Sequence, residues 1–304
     1  MHDLEGVDRG VNPQKTSVSA LALQLEELLV SSDRRGMAQV RQLWTPGYLH
    51  TAAELFVRHC QRVVIVSGFP VGETYETDGP AGAIALLQGV KDCGGQARLV
   101  GFTPYIDRLR NCVAGLPQLN QRDLLALDRS GDVCEQLQGY MAGFAPTLLI
   151  FVAVPGQAAD GCYYNPRFED ISDRTLPWEK LLELADCYSI AIADSGNHLG
   201  MGRVADPLAR LSIVPAVSWT DGLVIADIAN WGACGLLALA SAFVRKNLLR
   251  NLHLTPLLEV LSRSGIVDSV TGMATASEDG LPAFSGEAVV TTLRNAAQTL
   301  QSGF

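Results

Sequence analysis

The feature that most constrains the fold is a series of short apolar runs that recur along the chain. They are rich in valine, isoleucine and leucine, and they comprise Arg62 to Ser67, Ala97 to Gly101, Thr147 to Val152, Ser189 to Ala193 and Leu223 to Ile225. A strand with one solvated face alternates apolar and polar residues, whereas a strand buried on both faces is apolar at nearly every position. The runs therefore predict an α/β fold with a mostly parallel sheet that is covered by helices on both faces.

Helical patterns separate the apolar runs and supply the crossovers that parallel strands require. They comprise Val18 to Val30, Pro80 to Lys91, Asp123 to Met141, Leu176 to Asp186 and Ala233 to Leu249. Asp123 is a candidate cap for the third of these helices, because an aspartate side chain accepts hydrogen bonds from free N–H groups at a helix start. Pro177 suits the first turn of the fourth.

The domain organisation is predicted to be simple. Residues 1–16 are polar and contain Gly6, Gly10 and Pro13, which favours a flexible N-terminal arm. No stretch of linker composition interrupts residues 17–304, so they are predicted to form a single α/β domain. The part beyond about residue 251 is expected to pack on it as an appendix of helices and loops.

Composition and charge exclude several classes of protein. Hydrophobic residues make up 48% of the 304 residues, which is enough apolar material for a large core. The net charge is −9 and the 23 Lys and Arg residues are scattered, so no basic surface for nucleic acid is predicted. The longest apolar stretch, Leu223 to Val244, is interrupted by Asp227, Asn230 and glycines, so it is not predicted to span a membrane.

Cysteine usage bears on the cellular compartment. The seven cysteines lie far apart without a C-x-x-C pair, which favours reduced thiols over a disulfide framework. The first residues show neither a basic region nor an apolar region typical of a secretory signal. A cytoplasmic protein is therefore expected.

Four glycine-rich loops follow the predicted strands, and each contains at least one carboxylate. They comprise Glu76 to Ala83, Gly156 to Asn165, Asp194 to Gly202 and Asp227 to Gly232. Ligands of open parallel sheets bind beyond the carboxyl ends of the strands, where such loops converge. The four loops are therefore predicted to line one concave pocket.

Asp78, Asp194 and His198 are the candidate catalytic residues. An imidazole with an ordinary pKa can shuttle protons near neutral pH, although His198 can equally serve as a hydrogen-bonding partner of another site residue. Asp78 precedes Gly79 and Pro80, a pattern that a simple turn and helix cap also explains. Both alternatives stay open on the sequence alone.

Other residues of these loops are candidates for binding the substrate. They are Glu76, Asp160, Tyr163, Tyr164, Asn165, Ser195, Gly196, Asn197, Gly200 and Asn230. The glycines of the 194–202 loop permit close approach to the backbone, which favours a small polar ligand there. Their spacing is not G-x-G-x-x-G and the loop lacks the lysine of a P-loop, so no nucleotide cofactor is expected.

A divalent cation, Mg²⁺ or Mn²⁺, is the cofactor that these carboxylates suggest. The candidate ligands are Glu76, Asp78, Asp194 and Asp227, because hard cations prefer oxygen ligands. Carboxylates crowded into one pocket repel one another unless a cation or a basic side chain offsets the repulsion. Acidic loops at a sheet edge are also explained as helix caps and solvated turns.

Five blocks of sequence resemble the D-glutamate cyclase family. They are Glu76–Ala83, Ala158–Arg167, Asp194–Gly202, Ala229–Gly232 and Glu278–Pro282, and Asp33–Gly36 is similar to an early family motif. The resemblance implies a carbon–oxygen hydro-lyase within an α/β domain, one that converts D-glutamate to 5-oxo-D-proline and water. It also implies a small acidic amino acid as the ligand, and it leaves a homo-oligomer open.

Two departures from the family pattern bear on activity. The family usually has an acidic residue where His198 stands, and a Glu-Arg pair where this chain has Ala153 and Val154. A missing Glu-Arg pair removes an anion-binding contact. A second hypothesis is therefore a non-catalytic or diverged protein that binds an acidic amino acid or a divalent metal.

Overall fold

The computed structural model describes residues 13–302 of the chain, with side chains described for residues 18–299. Of the predicted N-terminal arm, residues 13–16 belong to the first helix, which begins at Pro13. Residues 1–12 of that arm lie outside the described residues.

Helices and strands alternate along the chain. The helices are α1 (Pro13–Leu29), α2 (Met37–Leu43), α3 (Tyr48–His59), α4 (Pro80–Asp92), α5 (Thr103–Cys112), α6 (Val133–Phe144), α7 (Glu179–Leu184), α8 (Ala205–Leu208), α9 (Ala229–Val244), α10 (Leu254–Arg263) and α11 (Ala283–Ser302). The strands are β1 (Arg62–Ser67), β2 (Pro70–Val71), β3 (Thr74–Tyr75), β4 (Gln96–Phe102), β5 (Leu124–Leu127), β6 (Leu148–Val152), β7 (Tyr188–Ala193), β8 (Gly222–Ile225), β9 (Ser277–Glu278) and β10 (Leu281–Pro282).

Six strands form one sheet in the order β5-β4-β1-β6-β7-β8. Every neighbouring pair in it is parallel, which confirms the predicted fold class. The chain winds outward from β1 through β4 to β5, then returns to the centre and winds the other way from β6. The order therefore reverses between β1 and β6, and ligands of doubly wound sheets bind at such a reversal.

The two faces of the sheet have separate apolar cores, because successive side chains of a strand point to opposite faces. Val63 and Ile65 of β1 belong to the larger core, together with residues of α1, α3, α4, α9 and α11. Val64 and Val66 belong to the other core, which includes residues of α6 and α7. Helix α9 lies at the centre of the larger core, and its residues from Ala229 to Ser241 are all buried.

The predicted helix from Asp123 to Met141 is wrong in its first part. Leu124–Leu127 form the edge strand β5, and α6 begins only at Val133. Asp132 caps α6, since its side chain accepts a 2.7 Å hydrogen bond from the Cys134 N–H. Asp123 instead accepts a 2.6 Å hydrogen bond from Lys91. A four-residue apolar run fits either a strand or a helix, and only pairing with β4 decides it.

Two other helix boundaries also differ from the prediction. Helix α9 begins at Ala229 and ends at Val244, so the predicted loop at 229–232 is its first turn. Helix α7 begins at Glu179, and Pro177 lies just before it. The early start of α9 depends on the distant residue Asp78, whose carboxylate caps the first turn of this helix.

None of the helices in residues 13–302 combines the length and apolar character needed to cross a membrane. All seven cysteines are free thiols, and Cys60, Cys112 and Cys234 are buried.

Candidate active site

A cleft of about 570 Å³ opens at the end of the sheet where β1, β6 and β7 terminate. Its walls come from the loops after these strands and from segments near both ends of the chain. The lining residues used below are Arg35, Phe69, Glu76, Asn165, Arg167, Arg174, Asp194, His198 and Ser269. Three of the four predicted loops thus contribute at least one residue to one cleft.

Asp78 and Asn230 fix the loops beneath the cleft by capping two helices reciprocally. The Asp78 carboxylate accepts hydrogen bonds from the N–H groups of Ala229 and Asn230, at 2.9 and 2.8 Å, and so caps α9. The Asn230 side-chain oxygen accepts from the N–H groups of Gly79 and Gly82, at 2.9 and 2.7 Å, and so caps α4. Both residues are buried. The helix-cap interpretation of Asp78 is therefore supported by its contacts.

Glu278 extends this buried network from the C-terminal part of the chain. Its carboxylate accepts a 2.8 Å hydrogen bond from the Asn230 side-chain amide and a 2.7 Å bond from the Trp231 indole. Burial, followed by the charge of Asp78, raises the pKa of Glu278 to about 8. The expected appendix is thus tied directly to the first turn of α9.

Three buried aspartates meet at the floor of the cleft. Oxygen atoms of Asp78, Asp194 and Asp279 lie within 4.8 Å of one another, close enough to share one metal ion. Arg35 contacts two of these residues: it pairs with Asp194, and it donates two hydrogen bonds to Asp279, at 2.5 and 2.6 Å. Arg35 and Asp279 have left-handed backbone conformations, with φ of 49° and 52°. The surrounding structure therefore holds this pair in strained positions.

Burial and mutual repulsion shift the pKa values of these carboxyl groups. Burial and then the charges of neighbouring aspartates hold the pKa of both Glu76 and Asp78 well above the ordinary carboxyl range. Burial also raises the pKa of Asp194 to about 7, although Arg35 opposes that shift. Asp279 behaves differently: burial raises its pKa, but the Arg35 guanidinium outweighs this and lowers it. The cleft floor therefore contains carboxyl groups with raised pKa values next to the ion pair of Arg35 and Asp279.

His198 lies beside Asp194 as an uncharged imidazole. Its Nδ1 atom is 3.1 Å from Oδ1 of Asp194, yet neither atom has a hydrogen-bond partner among the described residues. Burial, and then the Arg35 charge, lowers the pKa of His198 to about 3. The ring also packs against Phe69, with ring centroids 5.4 Å apart.

The glycines of the 194–202 loop face the protein's own chain. A Cβ atom on Gly196 would lie 2.8 Å from Leu208, and one on Gly200 would lie 2.4 Å from the Ala191 side chain. Close packing is therefore a sufficient reason for these glycines. The neighbouring Ser195 hydroxyl and Asn197 side-chain oxygen are buried and lack hydrogen-bond partners among the described residues.

The 158–165 loop contributes Asn165 to the cleft, whereas three other predicted binding residues make contacts within the loop region. The exposed Asp160 accepts a 2.7 Å hydrogen bond from the Tyr164 hydroxyl. Tyr163 is buried and donates to Glu179 at 2.7 Å. Asn197 connects this loop to the next, because its amide donates to the Tyr164 carbonyl at 2.7 Å.

Asp227 is placed apart from the group of three aspartates. Its carboxylate accepts hydrogen bonds from the N–H groups of Ser32 and Arg34, at 2.7 and 2.8 Å. It thereby holds the segment that presents Arg35. Glu76 lines the cleft near the aspartates but is not one of the three whose oxygens converge.

Four residues of the site received no role from the sequence: Arg35, Arg174, Glu278 and Asp279. Arg35, Glu278 and Asp279 do stand in blocks that carry the family resemblance. That resemblance was the available signal, since Arg35 and Asp279 are 244 positions apart and Glu278 lies 47 positions from Trp231. Arg174 stands in no such block.

The fold and the cleft define an α/β protein with a carboxylate-rich pocket at the strand-order reversal of a parallel sheet. The family model described as D-glutamate cyclase-like, C-terminal, matches residues 25–294. The chain therefore belongs to the D-glutamate cyclase-like family.

A curated relative is similar over a shorter stretch. It is the human protein named D-glutamate cyclase, mitochondrial, which is 28% identical over 222 residues. The matched stretch is 65% of this chain but only 36% of the human protein.

Proposed function

We propose that this protein catalyses the dehydrating cyclisation of D-glutamate to 5-oxo-D-proline. The observation that carries the proposal is the group of Asp78, Asp194 and Asp279, held with Arg35 at the floor of a cleft. The blocks that resemble the family contribute these four residues. Membership of the family and the name of the human relative give the proposed substrate.

The reaction needs two protons to move from nitrogen to oxygen. The substrate amine, once deprotonated, attacks the γ-carboxyl carbon; a C–N bond forms and a C–O bond breaks. An ammonium group loses two protons in total, and the departing carboxyl oxygen takes up two protons to leave as water. The site therefore needs a base near the amine and an acid near the γ-carboxyl group.

We assign the base to Asp194, when no cation is bound to it, and the acid to Glu76. Asp194 has a pKa of about 7, so it can accept a proton at neutral pH while its free oxygen remains available. Glu76 has a pKa well above the ordinary range, and it lines the cleft in the protonated form that an acid requires. Uncharged His198 is given an orienting role, because its low pKa does not suit proton transfer near pH 7.

Asp78, Asp194 and Asp279 are the residues that would hold a divalent cation. Carboxylate oxygens are the ligands that Mg²⁺ and Mn²⁺ prefer, and Asp194 Oδ1 has no competing hydrogen bond among the described residues. Such an ion would act as a Lewis acid that polarises the γ-carboxyl group. Asp78 and Asp279 are already oriented by backbone N–H groups and by Arg35, which favours a preformed site.

The alternative is a non-catalytic protein that uses the same cleft to bind an acidic amino acid or a divalent metal. It is favoured by Ala153 and Val154, which are buried and apolar at the position of the Glu-Arg pair of the family pattern. Neither side chain can bind an anion. A cytoplasmic location remains a prediction, and the name of the human relative places that protein in mitochondria.

Assay of 5-oxoproline after incubation of the purified protein with D-glutamate separates the two functions. Parallel reactions contain Mn²⁺, Mg²⁺ or neither, and L-glutamate serves as the stereochemical control. We expect product from D-glutamate that is lost in Asp194→Asn. Calorimetric binding of D-glutamate without any product would favour the binding protein, and neither binding nor product would reject both.

A further inference from the structure

Charged side chains lie on both the floor and one wall of the cleft. The floor has the buried carboxyl groups of Glu76, Asp194 and Asp279, and the guanidinium group of Arg35 contacts the two aspartates. The charge of Arg35 is already paired with both aspartates. The wall formed by residues 165–174 has two further guanidinium groups, those of Arg167 and Arg174. It also has the carboxylates of Glu169 and Asp170, which accept hydrogen bonds from Asn165 and Ser172.

Arg174 is the half-buried member of this pair. Among residues 18–299, no side chain or carbonyl forms an ion pair or hydrogen bond with its guanidinium group. Its charge acts on Tyr75: burial raises the pKa of the Tyr75 hydroxyl, and Arg174 opposes that shift. A partly desolvated guanidinium without an acceptor loses hydrogen bonds that a carboxylate can restore.

The backbone around Arg174 is fixed. Arg129 donates to the carbonyl oxygens of Ser172 and Thr175, on either side of Arg174. Ile171, Thr175 and Leu176 are buried. The segment therefore presents the Arg174 side chain to the cleft from an ordered support, which lowers the entropy cost of binding an anion.

We propose that Arg174 is the positioning residue that binds the α-carboxylate of the substrate. This inference rests on the proposed function. The amine and the γ-carboxyl group must meet during cyclisation, so both belong at the acidic floor with the proposed base and acid. The α-carboxylate takes no part in bond making, and Arg174 offers it a planar pair of donors on the opposite wall. Arg167 is exposed, so solvent weakens any equivalent contact.

The test compares ligands with and without an α-carboxylate. D-Glutamate and 5-oxo-D-proline contain this group, whereas 4-aminobutanoate contains only the amine and the distal carboxylate. The variants are Arg174→Gln, Arg174→Lys as the conservative change, and Arg167→Gln as the matched control from the same wall. Turnover of D-glutamate is measured together with calorimetric affinity for 5-oxo-D-proline and 4-aminobutanoate.

We expect Arg174→Gln to raise the KM for D-glutamate and the Kd for 5-oxo-D-proline by about tenfold or more, with a smaller change in kcat. Arg174→Lys should recover part of the loss, and Arg167→Gln should resemble the wild type. The Kd for 4-aminobutanoate should not change. An equal loss for 4-aminobutanoate would mean a structural role, and unchanged kinetics in Arg174→Gln would also overturn the assignment.

The proposed function and the role of Arg174 can be rejected separately. If the wild type converts D-glutamate and Arg174→Gln has the same kinetics as the wild type, the role of Arg174 is rejected while the proposed function stands. If the wild type neither converts nor binds D-glutamate, both are rejected.

Discussion

Asp78 and Asn230 each cap the helix that the other one introduces. Asp78 precedes α4 and accepts hydrogen bonds at the start of α9, whereas Asn230 stands in the first turn of α9 and accepts them at the start of α4. The two contacts connect residues that are about 150 positions apart in the sequence. This reciprocal capping thus fixes the relative position of two buried helices and of the loop that contains Glu76.

Asn230→Ala should lower the free energy of unfolding by about 2–4 kcal/mol, because α4 loses its cap and the buried oxygens of Thr77 and Glu278 lose a donor. Urea denaturation measures this change. Asp132→Ala is the control, since it removes a cap from the exposed start of α6 and should cost only about 1 kcal/mol. Equal losses in the two variants would contradict the reciprocal role of Asn230.

Asp194→Asn should weaken Mn²⁺ binding by about tenfold or more, because the group of three aspartates loses a charged ligand. Calorimetric titration gives the affinity. Asp227→Asn is the matched control: its carboxylate lies outside the group of three aspartates and holds two backbone N–H groups, so stability should fall while Mn²⁺ affinity is kept. The metal assignment fails if Asp194→Asn binds as tightly as the wild type, or if the wild type binds no Mn²⁺.

The pH dependence of turnover in the absence of added divalent metal should be bell-shaped. Asp194 must be deprotonated to act as a base, so kcat/KM should rise as the pH passes through about 7. Glu76 must be protonated to act as an acid, so activity should fall again at higher pH, where this raised group finally ionises. Initial rates from about pH 5 to about pH 10 provide the profile. A flat profile through neutral pH would contradict the assignment of Asp194.

Glu278 should make the protein less stable as the pH rises. Its pKa is about 8 in the folded state, so between the ordinary carboxyl value of 4.5 and about 8 the folded protein keeps a proton that the unfolded chain has lost. Unfolding releases that proton, and the free energy of unfolding therefore falls with rising pH across this window.

Glu278→Gln should make this decline shallower, because glutamine does not titrate. Denaturation at about pH 5 and about pH 8 tests the difference. Asp128→Asn should retain the slope of the wild type, because the Ser130 hydrogen bond lowers the pKa of Asp128 and this group is ionised throughout the window. A slope in Glu278→Gln as steep as that of the wild type would rule out Glu278 as its source.

Gly82→Ala should destabilise the protein by about 1–3 kcal/mol, because the new methyl group overpacks the contact between α4 and α9. Its Cβ atom would lie 2.8 Å from that of Ala233. Gly139 stands within α6 with open space around it, so Gly139→Ala should add about 0.5–1 kcal/mol. Thermal unfolding of both variants is informative, since changes of the same sign would refute the packing explanation.

The sequence by itself determined the layered fold. The run Arg62 to Ser67 is β1 residue for residue. Three of the other predicted strands differ from the observed ones by one residue at one end, and the predicted Ala97 to Gly101 is one residue shorter than β4 at each end. Burial on both faces leaves a local signal, because every side chain in such a run must be apolar. The edge strand Leu124–Leu127 was not predicted as a strand, since a single short apolar run fits either a strand or a helix.

Only the tertiary structure decided which residues meet at the cleft floor. Asp78 and Asp194 were predicted from their loops, but Arg35 and Asp279 join them through contacts across 159 and 244 positions. Asp227 shares the local features of those aspartates, yet its oxygens bind the backbone near Ser32. Sequence patterns report whether a residue is buried and how its neighbours are spaced. The identity of a carboxylate's partner depends on how distant segments pack, and no local pattern encodes it.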